Sequence, residues 1–254
     1  MPASNATQRF SSKVENYRKY RPTYPVEVID LLRRECGLTR SSVIADIAYG
    51  TGIFTKLLLD NGNPVIGVEP NAAMRQAGEE YLAEYKTFRS VDGTAETTNL
   101  DDHSVDLITA AQAAHWFDCD KAKKEFRRIL KPQGWVVLLW NMRSLDATPF
   151  ARDYEQVLLT YGTDYKEIRH DEKEAKIAGE FFGDKAKYKV FPWRQEFDYK
   201  GLEGRMLSSS YVPQADHPRY SAMLADLKKV FDKHQVKNQI PFDYETQVFY
   251  GQIS

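Results

Sequence analysis

At 254 residues, with 42% hydrophobic and 28% charged side chains, the chain carries enough apolar material for one large α/β domain, with or without a lid insertion, and too much for extended disorder. A formal charge of −1 excludes the overall basic footprint of a nucleic-acid or anionic-membrane binder, and no apolar run approaches the roughly 20 residues that span a bilayer. Two distant cysteines, Cys36 and Cys119, make no disulfide framework. A polar stretch 1–10 without a signal-peptide core then leads to the expectation of a reduced, cytoplasmic protein. The five scattered histidines show no ligand spacing, so no metal is expected.

In chain order, residues 1–40 read as an N-terminal cap and first helix. Val43 to Ile47 is a short β-branched run ending at a glycine turn, the pattern of a buried strand. Ile53 to Leu59 reads as a helix closed by Asn61-Gly62. Val65 to Val68 is a second strand, and Asn71 is placed to N-cap a helix running to about Leu82. Phe88–Val91 and Val105–Ala110 continue the strands, Asp120–Leu130 is helical, and Lys131-Pro132-Gln133-Gly134 has the residues of a type I turn before the apolar strand Trp135–Trp140. This alternation implies βαβ units and a mostly parallel sheet covered on both faces, an α/β fold of Rossmann-like type with a core over residues 41–143.

Residues 144–190 are charged and helix-prone without strand runs, so they read as a helical lid insertion. Residues 191–254 then complete the sheet: a strand Trp193–Tyr199, helices Gly201–Ser209 and Pro218–His234, and a last strand Tyr244–Ile253.

In an open parallel sheet the ligand crevice lies at the carboxyl ends of the strands. The first strand ends on Asp46, followed by Gly50 and Gly52, which let backbone pass close to a ligand at a helix N-terminus. Glu69 ends the second strand, where an acid can bond both ribose hydroxyls. The dinucleotide pattern G-x-G-x-x-G fails, because its third glycine position holds Thr55. Asp46, four residues before Gly50, also suits a cationic amino-acid tail better than a pyrophosphate.

Five segments in order carry a specific resemblance. Asp46-Ile47-Ala48-Tyr49-Gly50-Thr51-Gly52 resembles the D-x-G-x-G-T-G motif of class I S-adenosylmethionine-dependent methyltransferases. Glu69-Pro70 through Met74 resembles their second-strand acid with its apolar contact, and Gly93-Thr94-Ala95-Glu96 their adenine-side segment. Val105–Ile108 and Arg128–Gly134 resemble their fourth-strand and L-K-P-G-G motifs. Outside these, residues 17–25 and Ala114-His115-Trp116-Phe117 are similar to the branch of small-molecule methyltransferases that includes trans-aconitate methyltransferase.

The resemblance implies a seven-stranded sheet with the last strand inserted antiparallel, and S-adenosylmethionine as cofactor. It assigns cofactor contacts to Asp46, Ala48, Tyr49, Gly50, Gly52, Glu69, Pro70, Met74, Thr94, Ala95, Glu96, Ala111 and Gln112. The sequence departs from the family twice. Ala48 stands where glycine is usual, and a Cβ there costs roughly 1–2 kcal/mol if φ is positive. Thr94 stands where an acid often reads the adenine amine.

The acceptor side is expected from Tyr17, Arg18, Tyr20, Arg21, Tyr24, His115, Trp116 and Arg143. Aromatic faces can stabilise a sulfonium and arginines can clamp a carboxylate, or the N-terminal segment can cap the site by packing alone. His115 is the candidate general base or anion ligand, with a role in shaping the pocket wall as the alternative. The expected reaction is methyl transfer to a small-molecule acceptor, with a small carboxylic acid favoured, by a monomer or homodimer without nucleic acid or membrane. A non-catalytic S-adenosylmethionine-binding or sensor protein is the alternative.

Overall fold

The computed structural model describes residues 20–165 and 173–253; Tyr17 and Arg18 lie outside them. Seven strands form one sheet in the order β3-β2-β1-β4-β5-β7-β6. Strands β1 (Ile44–Ile47), β2 (Val65–Val68), β3 (Phe88–Val91), β4 (Val105–Ala111) and β5 (Leu130–Arg143) are mutually parallel. Strand β7 (Ile240–Gly251) is inserted antiparallel between β5 and β6 (Lys187–Phe197), as the family resemblance implies. The order reverses between β1 and β4, so the carboxyl ends of those two strands flank the crevice.

Continuous apolar runs form the central strands because both faces are covered. On one face Ala45, Ile47, Ile108, Val136 and Leu138 pack with Phe126 and Ile129 of α4 (Cys119–Ile129) and Phe181 of α6 (Lys173–Phe182). On the other, Ile44, Leu107, Val137 and Leu139 meet Val28 and Leu32 of α1 (Glu27–Glu35) and Phe54 and Leu58 of α2 (Ile53–Asp60). The Asn71 side chain caps α3 (Ala72–Tyr81) by accepting from the amides of Ala73 and Met74. A third cluster joins α5 (Pro149–Tyr161), α7 (Tyr199–Leu207) and α8 (Tyr220–His234) to Ile240, Phe242 and Tyr244 of β7.

Two local expectations are corrected. Residues 131–134 form no separate type I turn. They bulge within β5, where Val105 pairs with Leu130 and Leu107 already pairs with Trp135. Gln133 takes φ +66, and a Cβ on Gly134 would meet Leu130 at 2.7 Å and the Lys131 carbonyl at 3.0 Å. The segment 144–190 is not purely helical, because β6 begins at Lys187. Its Lys187-Tyr188-Lys189 stretch lacks apolar alternation because it is an exposed sheet edge, where lysines and Pro192 discourage further pairing.

Candidate active site

The glycine loop joins β1 to α2 with three left-handed residues: Ala48 (φ 55), Gly50 (φ 59) and Gly52 (φ 85). A Cβ on Gly52 would stand 2.7 Å from Leu82, so that position requires glycine on both counts. Ala48 tolerates the strain the sequence anticipated. Ala48→Gly should relieve roughly 1–2 kcal/mol of left-handed strain, offset by about 0.4–1 kcal/mol of added freedom in the unfolded chain. Thermal unfolding should therefore show an unchanged or modestly higher midpoint. Since glycine reaches the same loop conformation without a Cβ, calorimetric titration with S-adenosylhomocysteine should show unchanged or modestly tighter binding; a large loss of affinity would contradict this account.

Glu69 is 7% exposed and braces the loop, its Oε2 accepting from the Gly50 amide (3.0 Å) and its Oε1 from the Asn71 amide (2.9 Å). Burial raises its pKa and these two amide bonds oppose the rise. Each carboxylate oxygen keeps acceptor capacity for a hydroxyl pair. Arg75 fixes the strand end from behind through the Glu69 carbonyl (2.7 Å).

Asp46 lies deeper than its expected contact with a ligand amine would need. It is 1% exposed, with Oδ2 accepting from Thr55 (2.6 Å) and Oδ1 from Thr109 (2.7 Å). It ties β1 to α2 and to β4, and burial pushes its pKa up to about 6 against these two hydroxyl bonds. Tyr49 likewise turns inward. Its ring is wedged between Gly67 and Gly78, where added Cβ atoms would come within 2.6 and 2.5 Å of it. Its hydroxyl donates to the Arg75 carbonyl (3.1 Å) and pairs with Ser90 (3.0 Å). Only its backbone is left to face a ligand.

The remaining expected cofactor residues divide by exposure. Met74 (6%) packs beneath Gly50, 3.5 Å from the point where a Cβ would stand, and Pro70 is exposed. Thr94 uses its hydroxyl locally, accepting from the amides of Glu96 and Thr97. Ala95 is buried in the core, and the Glu96 carboxylate accepts from the Asp118 amide (2.9 Å).

Ala111 and Gln112 line one cleft with Arg21, Tyr24, Ala48, Gly50 and Thr51. Gln112 (φ 57) donates through Nε2 to the Asn141 carbonyl, and Asn141 Nδ2 donates to the Thr23 carbonyl (2.8 Å), tying the N-terminal segment over the sheet end. Tyr24 packs edge-on to Phe54 at 4.9 Å, Arg21 donates to the Ser208 carbonyl (3.1 Å), and the Tyr20 ring lies where any Cβ on Gly204 would stand. The segment from Tyr20 to Tyr24 thus bridges the cleft and α7.

His115 and Trp116 form a 3₁₀ turn just after β4, their rings 5.0 Å apart. The Trp140 indole donates to His115 Nδ1 at 3.4 Å. Desolvation, and then the nearby Lys173 charge, push His115 down to about 3. The ring is therefore neutral at physiological pH, a poor proton acceptor with no cationic form for binding an acid.

One residue outside the expected set bears on the fit of S-adenosylmethionine. Thr51 is 1% exposed, on the cleft wall, with a buried hydroxyl that has no hydrogen-bond partner among the described residues. An orphan of this kind is costly unless a ligand completes it. With the positive-φ loop and the spare capacity on Glu69, the residues present fit the family's cofactor. The sequence signal for this hydroxyl is the threonine between the two glycines of the Gly50-Thr51-Gly52 stretch. A larger concavity of about 590 Å³ lies at the opposite end of the sheet, around residues 130–135 and Lys187, away from the strand ends where a doubly wound sheet binds ligands.

Fold and loop together define a doubly wound α/β protein whose glycine loop borders the crevice at the carboxyl ends of β1 and β4. A methyltransferase-domain family model matches residues 45–138. An uncharacterized methyltransferase-like protein of Schizosaccharomyces pombe is 30% identical over 247 residues, covering 94% of this chain and 93% of its own. A second uncharacterized methyltransferase of that yeast is 26% identical over the same length, covering 94% and 95%. A solved protein of Anaeromyxobacter dehalogenans, carrying a provisional type II methyltransferase name, shares the fold with TM-score 0.67 at 19% identity, covering 92% and 98%. The chain belongs to the class I S-adenosylmethionine-dependent methyltransferase family.

Proposed function

We propose that this chain binds S-adenosylmethionine along the Ala48–Gly52 loop and methylates a small-molecule acceptor, favouring a carboxylic acid. The observation that carries this reading is the cleft itself: the loop braced by Glu69, with the orphaned Thr51 hydroxyl on one wall and Arg21 on the other. When bound, S-adenosylmethionine supplies a methyl group on a sulfonium, which passes to the acceptor nucleophile and leaves S-adenosylhomocysteine. Glu69 holds the ribose hydroxyls, and the Thr51 and Ile53 amides, which the loop leaves unused while Gly50 donates to Glu69 and Gly52 to the Tyr49 carbonyl, serve the polar tail. Asp46 acts through its threonine partners, keeping the end of β1 in place. Pro70, Met74, Thr94, Ala95, Glu96, Ala111 and Gln112 complete the nucleoside and methionine walls.

Arg21 orients the acceptor carboxylate, and Tyr24, His115 and Trp116 exclude water. A carboxylate oxygen already carries the electron pair that forms the new C–O bond as the C–S bond breaks. The neutral His115 therefore has no proton to take. The protein's contribution is alignment in a site shielded from water.

The test is calorimetry with S-adenosylmethionine and S-adenosylhomocysteine, followed by a turnover assay over a panel of small carboxylic acids. Saturable cofactor binding with S-adenosylhomocysteine release and methyl ester formation is expected. Tight binding without release would identify a non-catalytic binder, and no binding at all would overturn the proposal.

A further inference from the structure

The helical cluster beside the cleft contains more buried positive charge than the reading above uses. Arg205 of α7 is 6% exposed. Its Nε donates to the Tyr244 hydroxyl (2.9 Å) and its Nη1 to Ser209 Oγ (3.2 Å), and its guanidinium lies 5.8 Å from the Phe242 and 5.9 Å from the Tyr244 ring centroids. No carboxylate pairs with it among the described residues. A buried arginine held only by neutral groups carries a desolvation penalty that hydroxyl bonds and ring faces do not fully offset.

Arg143 arrives at the same place from the end of β5. It pairs directly with Tyr244 across the β5–β7 ladder, so the two side chains leave the same face of the sheet. Its side chain is 10% exposed and lies 5.1 Å over the Tyr154 ring. One terminal nitrogen, Nη2, donates to Glu155 and to the Tyr165 hydroxyl (2.7 Å). The other, Nη1, is buried without a partner among the described residues. Two buried guanidiniums around one tyrosine thus share one paired carboxylate.

Arg21 connects this cluster to the cleft. It lines the cleft wall and donates to the Ser208 carbonyl, three residues from Arg205. Tyr211 is within electrostatic reach of all three arginines, and its ring lies 4.8 Å from that of Tyr165. Burial alone would raise the Tyr211 phenol, but Arg205, Arg143 and Arg21, helped by Ser209, hold it below its ordinary value. The local potential there favours negative charge.

We infer that Arg143 and Arg205, gathered around Tyr244, form an oxyanion-binding subsite that holds an anionic group of the methyl acceptor, joined to the cleft through Arg21. Assigning the anion to the acceptor rests on the methyl-transfer reading; the subsite itself does not. An oxyanion at this point completes Arg143 Nη1 and gives Arg205 the opposite charge it lacks. Arginine's planar fork suits a carboxylate, phosphate or sulfate group. Arg205 then acts as a specificity residue, since an uncharged acceptor would leave it without a counter-charge and Arg143 Nη1 without an acceptor.

The experiment titrates the full chain with succinate, inorganic phosphate, sulfate and chloride at constant ionic strength. Each titration is run with and without saturating S-adenosylhomocysteine and read by calorimetry and thermal unfolding. At least one oxyanion should raise the wild-type melting temperature saturably while chloride does not. Succinate binding most strongly would assign a carboxylate, and phosphate or sulfate a tetrahedral group. Arg205→Met should weaken that oxyanion at least tenfold and leave S-adenosylhomocysteine affinity unchanged. Arg205→Lys, which keeps the charge and loses the fork, should fall between, and Tyr244→Phe provides a second route into the subsite if Met at 205 does not fold. A purely structural arginine would instead show lower melting temperatures with unchanged anion affinity. That result, or a wild type that no oxyanion stabilises, overturns the subsite. Failure of S-adenosylhomocysteine to bind would overturn the methyl-transfer reading while the anion titration of the unliganded protein still decides the subsite.

Discussion

Replacing Glu69 with alanine is expected to weaken S-adenosylhomocysteine binding by about 1–3 kcal/mol, roughly fivefold to 150-fold. The effect has two sources. The ribose loses its acceptors, and the Gly50 and Asn71 amides lose the partners that hold the loop before any ligand arrives. A loop left to find its left-handed residues without that brace pays for its ordering on binding. Glu69→Gln keeps the shape and one oxygen acceptor, so it should lie between wild type and alanine. Calorimetry measures the affinities and thermal unfolding the loss of the brace. Unchanged affinity in Glu69→Ala would remove the residue from the site.

The second large effect is a pair of opposing pH dependences. Asp46 has a folded pKa of about 6, raised from an ordinary 3.8. Between these values the native protein keeps a proton that the unfolded chain has released. Its contribution therefore weakens as pH rises from about 4 to about 6, by about 3 kcal/mol at 1.4 kcal/mol per unit. His115 runs the other way. Its folded pKa of about 3 lies below the ordinary 6.5, so below pH 6.5 the unfolded chain takes a proton that the native ring refuses. That costs about 2–5 kcal/mol as pH falls toward 3, the lower figure allowing for solvent at a partly exposed ring.

In the wild type the two slopes oppose each other between about pH 4 and 6. Asp46→Asn should be more stable than wild type at pH 7 and should lose stability more steeply on acidification. His115→Asn should become more stable, relative to its own value at pH 7, as pH falls to 4.5. Denaturant midpoints at pH 4.5, 5.5 and 7 read both. An Asp46→Asn curve parallel to the wild type would show that the buried carboxyl does not hold its proton as described.

The fold was largely legible because its signals are local. The runs Val43–Ile47, Val65–Val68 and Val105–Ala110 became β1, β2 and β4 within a residue, since a strand covered on both faces must be apolar throughout. Asn71 capped its helix as its side chain predicts. Misreadings fell where tertiary context overrides pattern. The edge strand β6 has no buried side to impose alternation at Lys187-Tyr188-Lys189, and residues 131–134 stay in the ladder as a bulge because Gly134 fits against Leu130.

The same division holds for the candidate site. Order along the chain was enough to bring the Ala48–Gly52 loop, Glu69, Ala111 and Gln112 to one crevice, because strand ends in a doubly wound sheet converge and backbone conformation at Gly50 and Gly52 is a local property. The direction of each side chain was not available from order alone. Asp46 and Tyr49 sit in the matching motif, yet one is sealed by Thr55 and Thr109 and the other is wedged between Gly67 and Gly78, contacts that span up to 63 residues of chain. Arg205 shows the limit most clearly. In sequence it is one arginine in a helix, and only the packing of α7 against β7 buries it beside Arg143, 62 residues away. Strand order and loop conformation follow from short-range sterics and the period of apolar residues. Burial, charge balance and protonation depend on which distant groups replace water, and the tertiary structure alone decides them.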